Sequence, residues 1–83
     1  MTTTQRYFGH QARAYARAIS DDVFESSGAV EQESDTLAIS GSLGVFRTRE
    51  RALAQGLAWA KLWIDERRPV AKSNFATDQK TMT

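Results

Sequence analysis

Apolar residues change their spacing along this chain, and the changes divide it into strands and a helix. From Thr48 onward they recur at helical intervals: Leu53, Leu57, Ala60 and Ile64 form one row, and Ala52, Gly56, Trp59 and Trp63 form a second beside it. Arg51, Gln55, Ala58 and Leu62 fall on the opposite side. Thr48 suits the N-cap and Glu50 the positive first turn, while Arg67 and Arg68 suit the negative end and Pro69 supplies the stop. The spacing therefore predicts a helix running from the Thr48 cap to Arg68, with one broad apolar face.

Upstream the period falls to two. In Thr36–Phe46, Leu37, Ile39, Leu43 and Val45 alternate with Ala38, Ser40, Ser42 and Gly44, and Gly41 interrupts the apolar row. Val23–Glu31 mixes apolar residues with Glu25, Ser26, Ser27 and Gly28, which reads as a strand with a bulge near Gly28. The polar residues 31–36 between these two segments make a hairpin loop.

In "YFGHQARAYARAI", residues 7 to 19, propensity and pattern disagree. Alanine and arginine favour helix, whereas the alternation of Ala12, Ala14, Ala16 and Ala18 with Arg13, Tyr15 and Arg17 favours strand. A helix would scatter the arginines and the tyrosine around its circumference; a strand puts Phe8 and the alanines on one face and the arginines and Tyr15 on the other. The strand is the preferred reading, with helix over residues 11–19 as its alternative, and Asp21-Asp22 forms the next turn.

These elements predict an α+β fold: a three-stranded antiparallel sheet packed against one C-terminal helix, βββα. The domain is expected to span residues 6–68, with flexible tails at 1–5 and 69–83, both polar and the second opening with the only proline. A helix of about 19 residues spans about 28 Å and strands of roughly 9–12 residues span about 30–40 Å, so one helix covers one face. Small residues on both layers allow close approach, and Trp59 and Trp63 would seal an edge.

Composition narrows the function classes more than it selects one. Eighty-three residues make one domain with a small core. No apolar run approaches the roughly 20 residues of a bilayer span. Eleven Lys and Arg against ten Asp and Glu give a net charge of +1, which exerts no strong pull on nucleic-acid phosphates. The absence of cysteine removes disulfides, thiolate metal sites and cysteine nucleophiles, and the start lacks an apolar signal core, so a cytoplasmic location is expected.

The candidate nucleic-acid or partner surface is the outer face of the first strand, where Tyr7, Arg13, Tyr15 and Arg17 would interleave aromatics with cations. Against this, Arg13 and Arg17 are expected to pair across strands with Glu25 and Glu31, weakening any attraction for phosphate. Arg47, Thr48 and Arg49 at the helix start form a candidate anion site, whose plainer reading is a solvated helix terminus. Ala58 and Leu62 form a candidate partner patch that Val70 and Phe75 of the tail, or a second subunit, would cover. His10 stands without cysteine or a convergent carboxylate pair, so neither metal nor histidine-based catalysis has its parts. Trp59 and Trp63 have core spacing rather than the look of a ligand-stacking pair. Ser26-Ser27 read as ordinary strand-end residues.

The stretch "FRTRERALAQGLAWAKLWID", residues 46 to 65, resembles the carboxy-terminal half of a group of short bacterial proteins of uncharacterised function. Those proteins end a small βββα domain with an aromatic residue, a Thr or Ser cap, an Ala-rich helix and Trp-Ile-Asp. The resemblance implies the fold and brings no catalytic residues. A looser similarity, carried by Leu43-Gly44-Val45-Phe46-Arg47-Thr48 and Ala52, is to three-stranded-sheet DNA-binding domains of the plant ethylene-response type and to the arm-binding domains of tyrosine recombinases. It implies Arg13, Tyr15 and Arg17 as groove readers, although Glu25 and Glu31 stand where such domains are rich in Arg, Lys and Trp. Hic-type antitoxins, which bind a toxin partner, share the same strand-to-helix run.

The expected function is that of a non-enzymatic interaction or accessory module, with nucleic-acid binding through the sheet as the alternative. A protein partner is favoured, a monomer is expected, and no cofactor or membrane association is expected.

Overall fold

Six elements carry residues 1–67, which the computed structural model describes: β1 (Thr2–Tyr7), β2 (His10–Ser20), β3 (Val23–Gln32), β4 (Asp35–Ile39), β5 (Val45–Phe46) and α1 (Arg49–Arg67). The strands form one antiparallel sheet in the order β1-β2-β3-β4, with β5 also paired to β3. The fold is therefore α+β with one C-terminal helix, as the sequence implies, but the sheet has more strands than the expected three.

The alternation in β2 is expressed from Ala12 to Arg17 and is lost at Ala18, which is exposed next to the register shift. Ala12, Ala14 and Ala16 are buried under the helix, while Arg13, Tyr15 and Arg17 take the other face. In register, Ala12 lies beside Val30, Ala14 beside Gly28 and Ala16 beside Ser26. Ala52, Gly56, Ala60 and Ile64 form the buried row of α1, and Leu53, Leu57, Trp59 and Trp63 flank it half-buried. The row is small where Gly56 crosses Gly28 and Ala14, because a Cβ there would meet backbone, and it widens to Ile64, which packs with Ala12, Val30 and Ala60.

The additional strand comes from residues expected to be a loose end. Thr2–Tyr7 pairs with β2 along six positions, and the ladder continues at Met1, where the Ala16 amide donates to the Met1 carbonyl at 2.9 Å. Three consecutive threonines suit an extended edge strand. Phe8 and Gly9 turn the chain with φ of 46° and 79°, the left-handed pair that a two-residue hairpin requires. That turn shortens the expected strand over residues 7–19 at its start.

The expected strand over residues 36–46 is divided into β4 and β5, both on the same side of β3. The division falls at Ser40–Gly44, where Gly41 and Gly44 adopt φ of 75° and 111°. Those residues still satisfy the middle of β3: Ser40 and Leu43 amides donate to the Gly28 and Ser26 carbonyls at 2.9 and 2.8 Å, and the Ser26 amide donates to the Gly44 carbonyl at 3.0 Å. No bulge occurs at Gly28. The register shifts instead at Ala18/Ser20 and at Val30/Glu31. Gly28 serves close packing, since a Cβ there would stand 2.6 Å from the Gly56 carbonyl oxygen.

Ser26 is fully buried in mid-strand rather than at a strand end, and its hydroxyl donates to the Ala52 carbonyl at 2.6 Å. The Asp21-Asp22 turn lies where expected. The tail residues 69–83, with Val70 and Phe75, lie outside the described residues.

Candidate functional site

With α1 on one face, no described element covers the other face of the sheet, and the register fixes what it displays. One row across the strands reads Thr4, Arg13, Ala29, Ile39; the next reads Thr2, Tyr15, Ser27; a third reads Arg17, Glu25, Val45. Arg13, Tyr15 and Arg17 therefore do share one surface. Ile39 is 72% exposed and Val45 56%. Ala29 is buried between Arg13 and Ile39 although it belongs to this outer face.

Tyr7 is not part of that surface. The two-residue turn sets Tyr7 opposite His10, which has the parity of the buried alanines, so Tyr7 faces the helix. Its hydroxyl donates to the Asp65 carboxylate at 2.9 and 3.0 Å, and the Lys61 ammonium stands 5.6 Å from its ring centroid. The phenol ties the first strand to the last turns of α1.

Both arginines have acid partners across the strands. Arg13 Nη2 lies 3.3 Å from Glu31 Oε1, and Arg17 meets Glu25 Oε1 through Nη2 at 2.8 Å and Nε at 3.2 Å. The Arg17 hydrogen bond, followed by one from Ser42, holds the Glu25 carboxyl below its usual range. Arg13 Nε is buried and has no acceptor among the described residues.

At the helix start Thr48 Oγ1 accepts the Arg51 amide at 3.1 Å, which is the N-cap the sequence implies. Arg49 lies over Phe24, 5.1 Å from the ring centroid, and Arg47 is exposed. The hydroxyl is thus engaged in capping and one guanidinium in a cation–π contact. Ala58 and Leu62 are both exposed on the outer side of α1. Ala58 lines a shallow groove of about 390 Å³ with Phe46, Arg51, Ala54 and Gln55, and Leu62 stands beyond it.

His10 Nδ1 lies 2.9 Å from the Phe8 carbonyl oxygen, a contact within the hairpin. Among the described residues no group of three or more His, Asp or Glu side chains is placed to hold a metal ion, and no helix is long and apolar enough to cross a membrane.

One feature lies outside the candidates read from the sequence. A polar cleft of about 450 Å³ at the hairpin end of the outer face is lined by Arg6, Gln11, Arg13, Glu31 and Glu33, among others. Arg6 joins it only because residues 2–7 form a strand. The signal available was the Phe8-Gly9 pair as a hairpin turn, which folds Arg6 back beside Gln11. No family model, curated protein or solved structure matches this chain.

Proposed function

We propose that this chain is a non-enzymatic interaction module that receives a protein partner on the face of its sheet opposite α1. The observation that carries the reading is the pairing of that face's central cations. Arg13 and Arg17 are each bound to a glutamate, while Ile39 and Val45 stand exposed one strand further across the same face. Paired charges weaken the attraction for a phosphate backbone, and exposed aliphatic groups at the edge favour a partner surface with an apolar centre.

The alternative, nucleic-acid binding through the same face, is favoured by one feature: Tyr15 lies between Arg13 and Arg17 on one strand, an arrangement suited to base stacking between phosphate contacts. The two readings separate in one comparison. Cross-linking and capture from the native cell with wild type, Ile39→Asp and Leu62→Asp should give a partner lost only in Ile39→Asp. Capture unaffected by Ile39→Asp would remove the sheet face from the reading. Spectral changes at Arg13, Tyr15 and Arg17 with duplex DNA below about 100 μM, fading steeply with salt, would install the alternative.

A further inference from the structure

The cleft at the hairpin end of the outer face carries an inference that does not depend on the partner-binding reading. It runs from β1 across β2 to the turn between β3 and β4, and its charges are sorted along that path. Arg6 stands on β1 and Glu33 on the turn, and neither forms an ion pair with any described residue. Between them the Arg13–Glu31 pair cancels its own charge. Gln11 and Gln32 add amide groups that both donate and accept. We propose that this cleft binds a small zwitterion of about dipeptide length, its carboxylate toward Arg6 and Arg13 and its ammonium toward Glu33 and Glu31.

The register supports the carboxylate end. Arg6 lies opposite Gln11, and Arg13 is two residues further along β2, so the two arginines are diagonal neighbours about 7–8 Å apart at the backbone. Two guanidinium groups at that separation can bracket one carboxylate. Arg13 gives one Nη to Glu31, leaving further N–H donors for a ligand oxygen. A phosphate dianion suits the cleft poorly, because Glu31 and Glu33 both repel it.

The width of the cleft supports the length. Adjacent strands lie about 4.8 Å apart, so β1 and β3 are separated by about 10 Å, less the reach of side chains inward from each wall. Arg6 on β1 and Glu33 on the turn beyond β3 are farther apart at the backbone than one strand spacing, and one added peptide unit lengthens a zwitterion by about 3.5 Å toward that span. The volume, about 450 Å³, falls in the lower part of the range for small-molecule sites.

The test is an amide-resolved NMR titration of the whole chain with glycylglycine, run beside acetate, methylammonium and inorganic phosphate. Saturable shifts confined to residues 6–13 and 31–34 are expected, with half-saturation at about 1 mM. Acetate or methylammonium alone should bind about ten-fold more weakly. Arg6→Gln and Glu33→Gln, both at exposed positions, should each weaken the dipeptide at least about five-fold without loss of spectral dispersion. The proposal is overturned by the absence of saturation at about 20 mM, by an equal response to acetate or phosphate, or by unchanged affinity in both variants. The comparison of ligands on the wild-type chain decides the matter even if a variant folds poorly.

Discussion

Gly28 of β3 and Gly56 of α1 cross with no side chain between them. A Cβ on Gly28 would stand 2.6 Å from the Gly56 carbonyl oxygen and 3.1 Å from Trp59 Cε3; one on Gly56 would run into the Ser27 carbonyl oxygen and lie 2.7 Å from Ala14 Cβ. In an exposed helix, Gly56→Ala would gain about 1 kcal/mol from propensity. Here the added methyl meets backbone atoms, which cannot swing aside, and overpacking of that kind costs about 1–3 kcal/mol or more. Gly28→Ala and Gly56→Ala should therefore each lower stability by about 2 kcal/mol net, seen as a lower urea midpoint at unchanged slope. A stabilised Gly56→Ala would show that the layers are less tightly set.

What the sequence made legible follows the strength of each local signal. The Thr48 cap and the β2 alternation were readable because each follows from a few neighbouring side chains. Cross-strand pairing of Arg13 and Arg17 with Glu31 and Glu25 followed from that alternation. β1 was hidden, because Thr2, Thr3, Thr4, Gln5 and Arg6 have no apolar row and the strand is held by backbone bonds to β2 rather than by a buried face. Tyr7 turns to the helix for a related reason, since the Phe8-Gly9 turn reverses the face that a continuous strand would give it. The buried row of the helix takes Ala60 and Ile64 from one expected row and Ala52 and Gly56 from the other: Leu53 and Leu57 carry more apolar area, yet Ala52 and Gly56 occupy the closest line because the sheet below presents alanine and glycine. The cleft joins residues from β1, β2 and β3, so its existence depends on two turns and a register that no single segment encodes.

Ser26 offers a test of the helix-to-sheet contact that leaves volume nearly unchanged. Its hydroxyl is wholly buried and donates to the Ala52 carbonyl at 2.6 Å. That carbonyl sits in the first turns of α1, so the bond fixes the helix start over β3. Ser26→Ala should cost about 1 kcal/mol, the usual net value of a hydrogen bond, and lower the thermal midpoint by roughly 4–8 °C in a domain of this size. An unchanged midpoint would mean that the hydroxyl contributes no net stability.

The turn between β3 and β4 places two L-residues in the left-handed region, with Glu33 at φ 50° and Ser34 at φ 76°. Such a backbone costs an ordinary residue about 1–2 kcal/mol, partly offset for glycine by its greater freedom when unfolded. Ser34→Gly should accordingly raise stability by about 0.5–1 kcal/mol. At the other hairpin Gly9 has φ 79° and nothing near its absent Cβ. Gly9→Ala should lose about 1 kcal/mol through strain alone, a contrast that equilibrium unfolding of the two variants would resolve.

Glu25 gives the surface pair a definite pH signature. The hydrogen bond from Arg17, and then that from Ser42, lowers its folded pKa, so the folded carboxyl binds its proton less readily than the unfolded one. The pair therefore contributes stability at pH above the ordinary glutamate range, and that contribution disappears as pH falls through the depressed folded value. Wild type should lose urea resistance in the acid range more steeply than Glu25→Gln, which has no proton to take up at this position. Because Arg17 is largely exposed, with 73% of its side chain accessible, added salt should shrink the difference. Parallel acid limbs for the two proteins, together with an ordinary carbon-detected titration of the Glu25 carboxyl, would show that solvent screens the pair completely.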